Sequence, residues 1–308
     1  MERKIIAVCG PTAVGKTEYA IEIALHAGGE IVSCDSMQLY KYMNIGSAKP
    51  TPEEQAKVKH YLVDQIDPAM PFSAARYQKL AKAAIEEIFS SGKTPVICGG
   101  TGLYLNSLLY DMDFAAEPDH EGTREAIYKE YDKYGSEHIY KKLMAIDPEA
   151  ASRIHPHNVK KVVRALEAAE EGDRVKDFAR DLKPTKDYAA VLIGLTRDRA
   201  ELYDRINQRV DKLIEAGLVD EVKGLMDMGL TEYDISMKGI GYKEVIAYLQ
   251  NECSLEETVE LIKKNTRHFA KRQMTWFRRY KDMKWFCISD YADDRSCQED
   301  IFKWMEKK

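Results

Sequence analysis

The sequence predicts an α/β protein, a parallel sheet flanked by helices and interrupted by an inserted all-helical subdomain. Three observations carry this. Residues 10–17 read GPTAVGKT, so Gly10, Gly15, Lys16 and Thr17 fill every fixed position of the phosphate-loop pattern G-x-x-x-x-G-K-[ST]. The flanks come in the required order: KIIAVC at residues 4–9 is a short buried strand, and residues 17–27 carry apolar groups at helical spacing until Gly28-Gly29 stops them. From Asp113 to Asp187, by contrast, charged helical segments dominate and no strand pattern occurs. The fold class is therefore P-loop NTPase-like, with a core domain of residues 1–112 and 188–308 and a helical insertion of 113–187.

The chemistry of the loop follows from its parts. Backbone N–H groups and the positive end of the following helix attract phosphate oxygens; Gly10, Pro11, Thr12, Ala13, Val14, Gly15, Lys16 and Thr17 form the cradle. Lys16 adds a charge, and the Thr17 hydroxyl suits Mg²⁺.

Composition bounds the rest. With 308 residues and 44% hydrophobic content, the chain can bury a substantial core in one large domain or two ordinary ones. No apolar run approaches the ~18 residues of a membrane span, and the opening MERKIIAVCG lacks a signal-peptide layout, so a cytoplasmic protein without membrane contact is expected. Of six cysteines, Cys9, Cys34 and Cys98 fall near the ends of predicted buried strands, and no C-x-x-C pair points to zinc. The formal charge of −5 excludes a surface that is basic all over, so a nucleic-acid face must be a local patch.

Taken in order, EIVSC at residues 30–34 is a second strand that delivers Asp35 and DSMQLYKYMNIGSAKP. Ligands of open parallel sheets bind beyond the carboxyl ends of the strands, which makes Asp35 a candidate for chemistry; an aspartate capping a turn fits the spacing equally well. Residues 50–72 hold four prolines besides His60 and look like a loop-rich connection. Residues 73–91 form an amphipathic helix ending at Gly92, and residues 94–98 (TPVIC) a third strand running into GGTGLY. The glycines around Thr101 suit close approach of a ligand, or simply a tight strand-to-helix turn.

Within the insertion, Val159, Val162, Val163 and Leu166 of HPHNVKKVVRALEAAEEG face a core, while His157, Lys160, Lys161 and Arg164 cluster elsewhere. That cluster is either an RNA contact or an ordinary solvated stripe. A fourth strand at residues 189–195 returns the chain to the sheet, followed by two helices ending near Gly217 and Gly229 and by the glycine-punctuated SMKGIGYKEV. Ser254 and Glu257 have capping-box spacing and open a long helix to about Tyr280. Between Lys263 and Lys284 nine Lys or Arg residues face a single Asp, interleaved with Phe269, Trp276, Phe277 and Tyr280, a composition that grips phosphates and stacks on unpaired bases. Residues 283–288 are a fifth strand, and Ser296 with Glu299 is expected to open the last helix by a second capping box.

Six ordered segments together resemble the bacterial tRNA dimethylallyltransferase (tRNA isopentenyltransferase) family: GPTAVGKT, DSMQLYKYMNIGSAKP, GGTGLY, RALE ending at Glu167, GIGYKE from Gly239 and KRQMTWFR from Lys271. The resemblance implies transfer of the dimethylallyl group of dimethylallyl diphosphate to N6 of the adenosine 3′-adjacent to the anticodon, with Mg²⁺ present and diphosphate released. It implies a general base at Asp35, a positioning role for Thr101, and tRNA contacts from Asp35, Ser36, Met37, Gln38, Thr101, Arg124, His157, Lys160, Lys161, Arg164, Lys271, Arg272, Gln273, Trp276 and Arg278. Arg197 and Arg199, just beyond the fourth strand, are secondary candidates for stabilising the leaving group. The expected partner is the tRNA anticodon arm, and the expected state a monomer. Val14, where the family more usually has serine, and Leu39 and Tyr42 depart from its pattern without removing any polar group assigned a role. The rival readings are a small-molecule or nucleotide kinase, and an RNA-binding or nucleotide-switch protein without transferase activity.

Overall fold

The computed structural model describes residues 3–112, 114, 122–170 and 182–308. The Glu117-Pro118-Asp119 boundary of the insertion lies outside them. The chain separates into two compact units, Met1–Leu109 with Thr185–Lys308, and Tyr110–Pro184.

In the first unit the order is β1 (Lys4–Cys9), α1 (Lys16–His26), β2 (Gly29–Cys34), α2 (Pro52–Lys57), β3 (His60–Tyr61), α3 (Ala74–Ser90), β4 (Thr94–Gly99) and α4 (Gly102–Leu109). The second unit contributes α5 (Thr123–Tyr134), α6 (Ser136–Ile146), α7 (Pro148–Arg153) and α8 (Val159–Glu170). The first then resumes with β5 (Ala189–Thr196), α9 (Arg199–Glu215), α10 (Leu218–Asp227), α11 (Tyr242–Leu249), α12 (Leu255–Phe277), β6 (Lys284–Cys287) and α13 (Asp294–Met305). The strands form one sheet in the order β3-β2-β4-β1-β5-β6, with every pairing parallel.

A parallel sheet covered on both faces needs strands apolar throughout, and β1 meets this: Ile5, Ile6, Ala7, Val8 and Cys9 are all buried. Tyr19, Ile21 and Ile23 of α1, Ile206 of α9 and Ile301 of α13 pack in the same cluster as Ile6 and Val8. At about 1.5–3 kcal/mol for each large apolar side chain buried, this cluster is the main force holding the sheet to its helices. In the second unit, Val162, Val163 and Leu166 of α8 are buried with Ile127, Ile139 and Leu143, and Val159 packs at the edge.

Two expectations are corrected. Among the described residues the sheet has six strands rather than five, because His60 and Tyr61 pair with Ile31 and Val32 at its edge. A two-residue strand shows no alternation, and the helix beside it, capped by Thr51 and Glu54, is only six residues long; both hide in a proline-rich stretch. The last helix is capped by Asp293, not Ser296: its carboxylate accepts the Ser296 N–H at 2.8 Å, and Ser296 is the third helical residue. An ionised acceptor at the positive helix end outcompetes a hydroxyl there. Among the described residues no helix is long and apolar enough to cross a membrane.

Candidate active site

The phosphate loop leaves β1 at Gly10, where an added Cβ would lie 2.5 Å from the Leu195 carbonyl oxygen, so only glycine fits beside β5. Ala13 has φ 64° and Gly15 φ 108°, left-handed conformations that turn the chain into α1. Strain at a non-glycine residue of this kind costs about 1–3 kcal/mol and persists only when neighbours enforce it. Here the neighbours are explicit: Arg205 Nε donates to the Ala13 carbonyl and Arg197 Nε to the Val14 carbonyl, both at 3.0 Å, and the Thr12 N–H donates to Gln273 Oε1 at 2.9 Å. Gly15 has no side chain to cap α1, so the first-turn N–H groups stay open to an anion. Lys16 Nζ donates to the Pro11 carbonyl at 2.8 Å. Burial lowers the Lys16 ammonium from its usual range, and the Asp35 carboxylate opposes part of that fall.

Asp35 stands one residue beyond β2, where it caps a turn and lines a cavity. Its Oδ1 accepts the N–H groups of Met37 (2.8 Å) and Gln38 (3.4 Å), capping a turn. Its Oδ2 takes no hydrogen bond among the described residues, and Asp35 lines a cavity of about 560 Å³ together with Thr12, Lys16, Thr17 and Thr101. The loop after β4 is stitched to this turn: the Thr101 N–H donates to the Cys34 carbonyl at 3.1 Å, and Thr101 Oγ1 accepts the Ser36 N–H at 3.2 Å. A Cβ on Gly99 would sit 2.1 Å from the Cys34 oxygen, which explains glycine there without a ligand. Ser36, Met37 and Gln38 line the same cavity, as do the aromatic rings of Tyr40, Phe72 and Tyr104.

The donor set suits Mg²⁺. The Thr17 hydroxyl and the Asp35 carboxylate are hard oxygens in one cavity, and no cluster of three His, Cys, Asp or Glu groups fit for a metal occurs among the described residues. Mg²⁺ typically uses one or two protein oxygens and completes its shell with phosphate and water.

The leaving-group candidates need correction. Arg197 is 9% exposed at its side chain and commits its guanidinium to Val14, Glu201 (2.6 Å) and Asp294 (3.2 Å), so it braces the loop from behind. Arg199 is exposed, stacks over the Tyr203 ring at 5.2 Å and does not line the cavity. Arg209 of α9 does line it, with no hydrogen bond or ion pair among the described residues. Burial draws its guanidinium below the usual range, partly offset by Asp35, yet an arginine remains charged. RINQRV places Arg205 and Arg209 four residues apart on one helix face, the signal that could have found the pair.

Of the residues assigned to RNA, Lys271, Arg272 and Arg278 are exposed on α12 or at its end, and Trp276 is half-buried beneath Arg279 at 5.0 Å. Gln273 is different: it is 6% exposed and commits its amide to Thr12 and Gly100, inside the protein. Two other cations of the basic run also serve the protein, Lys263 paired with Asp211 at 2.8 Å and Arg267 donating to Asn207 at 2.6 Å. In the second unit His157, Lys160 and Lys161 are exposed. Arg124 and Arg164, half-exposed, both donate to Oε2 of buried Glu167, at 2.7 and 2.8 Å. Burial would raise the Glu167 carboxyl, but these two guanidinium groups hold it below its ordinary value. Sequence reading also missed Glu221, whose carboxylate accepts the N–H groups of Asn44, Ile45 and Gly46 and the Tyr242 hydroxyl, anchoring the segment after Asp35.

A glycine-rich loop between a central parallel strand and a helix, with a carboxylate and an arginine in the same cavity, is the arrangement of the phosphate-loop class of α/β proteins. The IPP transferase family model matches residues 38–280, and the chain belongs to that family. It is 48% identical to the tRNA dimethylallyltransferase of Alkaliphilus oremlandii over 98% of this chain and 97% of that protein. Among solved structures it resembles the full-length tRNA isopentenylpyrophosphate transferase of Bacillus halodurans (TM-score 0.73, 40% identity, covering 100% of this chain and 96% of that one). It also resembles a eukaryotic dimethylallyltransferase acting on tRNA (TM-score 0.82, 27% identity, covering 99% of this chain and 77% of that one).

Proposed function

We propose that this chain is a tRNA dimethylallyltransferase, moving the dimethylallyl group of dimethylallyl diphosphate to N6 of the adenosine 3′-adjacent to the anticodon. The observation that carries this is the Asp35 carboxylate, with Oδ2 unbonded among the described residues, in one cavity with the phosphate loop of a chain belonging to the IPP transferase family. The N6–C1 bond forms as the C1–O bond to diphosphate breaks. The amine becomes strongly acidic as it bonds to the allylic carbon, so a carboxylate is base enough, and the N6 proton passes to Asp35 Oδ2. Thr101 orients the amine. The first-turn amides of α1, Lys16 and Arg209 hold the negative charge that grows on the departing diphosphate. Mg²⁺, which Thr17 would hold, would supply further neutralisation of that charge.

The adenosine must leave the anticodon-loop stack to enter such a cavity. Lys271, Arg272 and Arg278 supply phosphate contacts and Trp276 a stacking surface, with Arg124, His157, Lys160, Lys161 and Arg164 contributing from the helical unit. We place the enzyme in the cytoplasm, as a monomer. The test is nucleoside mass analysis of tRNA incubated with the protein, Mg²⁺ and dimethylallyl diphosphate. One added dimethylallyl unit on adenosine is expected; phosphoryl transfer from ATP without prenylation would establish the kinase reading instead.

A further inference from the structure

Gln273 belongs to α12, whose exposed side carries Lys271 and Arg272, yet its own side chain points the other way. Oε1 accepts the Thr12 N–H at 2.9 Å, and Nε2 donates to the Gly100 carbonyl at 3.0 Å. Both partners are backbone groups, one only a donor and the other only an acceptor, so the orientation of the amide is determined. The fit is tight: a Cβ on Gly100 would lie 2.1 Å from Nε2, and one on Gly102 would lie 2.2 Å from the Trp276 ring. Glycine at 100 and 102 is what lets α12 approach the turn after β4.

The two bonded groups belong to two different segments that line the cavity. Thr12 is part of the phosphate loop, and Gly100 immediately precedes Thr101, whose hydroxyl holds the Asp35 turn through Ser36. We infer that Gln273 is a positioning residue of the transfer reaction: one primary amide ties the diphosphate cradle to the Thr101–Asp35 side and sets the gap the allylic carbon must cross. The primary amide offers a donor and an acceptor side by side. A carboxylate keeps the bond to Thr12 but repels the Gly100 oxygen, and leucine leaves both backbone groups without partners in a buried place. The inference takes its catalytic meaning from the proposed transfer reaction, but the binding of diphosphate can be measured without it.

The experiment compares wild type with Gln273→Leu and Gln273→Glu in the full chain. It measures binding of inorganic diphosphate with Mg²⁺, tRNA affinity at fixed salt, single-turnover transfer, thermal melting and amide hydrogen exchange at Thr12. In both variants the transfer rate should fall about 10- to 100-fold, the usual scale for a reacting group displaced by around 1 Å. Diphosphate should bind severalfold more weakly to Gln273→Leu, tRNA affinity should be unchanged, and Thr12 exchange should accelerate in Gln273→Leu but not in Gln273→Glu. Weakened tRNA binding with diphosphate affinity and Thr12 exchange intact would make Gln273 an RNA contact and overturn the inference. Wild-type transfer by either folded variant would reduce the side chain to filler, and Gln273→Glu carries the test if the leucine variant does not fold. A wild-type chain that binds diphosphate but prenylates no tRNA would remove the transferase reading; diphosphate binding and Thr12 exchange would then still decide what Gln273 holds.

Discussion

Asp35 divides its carboxylate between two tasks. Oδ1 is committed to the turn amides, so replacing the side chain removes a cap as well as a base. Asp35→Ala is expected to slow single-turnover transfer about a hundredfold or more, the scale of a lost general base, while both substrates still bind. Near-normal transfer would remove Asp35 from the mechanism. Lys16 makes a prediction about pH. Its folded-state value is lowered by burial from the usual 10.5, so over the window between the two values the unfolded chain binds more protons than the folded one. This group therefore adds stability to the ligand-free protein as pH rises through that window. Diphosphate binding needs the charged ammonium and should weaken over the same rise, with its midpoint below 10.5. Titration calorimetry with Mg²⁺ and diphosphate from neutral to alkaline pH checks this; an affinity flat up to 10.5 would separate Lys16 from the anion.

Helix α12 has two working sides. Gln273, Ala270 and Phe277 are buried, and Lys271, Arg272, Arg278 and Arg279 are exposed at the same end of the helix. Each exposed cation that meets a phosphate releases counterions. Lys271→Ala/Arg272→Ala should therefore reduce the log–log salt slope of tRNA binding by about 0.7 to 0.9 for each phosphate left without its cation. Melting temperature and diphosphate affinity should stay at wild-type values, because neither side chain lines the cavity. An unchanged slope in a folded variant would return this pair to the solvent. Lys263 and Arg267, bonded to Asp211 and Asn207, should act oppositely: their removal lowers stability with little effect on the slope.

At the scale of the whole molecule, the phosphate loop is held by residues from α9 and α12, far along the chain, so filling it should be felt by the entire first unit. A ligand present at 100 times its dissociation constant stabilises the state that binds it by about 2.7 kcal/mol. Mg²⁺ with diphosphate at that excess should raise the melting temperature of wild type but not of Lys16→Ala at the same concentration. An equal rise in both would place the anion elsewhere. The phosphate loop, the long strands and helices and Asp35 at a strand end were all legible in the residues, because each depends on neighbours a few positions away: glycine where the chain must turn, apolar periodicity, a cap. The family was legible too, through six motifs whose order needs no structure to be read. Which side chains face the cavity was not legible, and folding settles it. Arg197 braces the loop while Arg209 lines the cavity, Gln273 points inward from a basic helix, and a two-residue strand closes the sheet edge. Such contacts join residues scores or hundreds of positions apart, and their chemistry is set by distance, direction and burial, which residue type and local spacing do not encode.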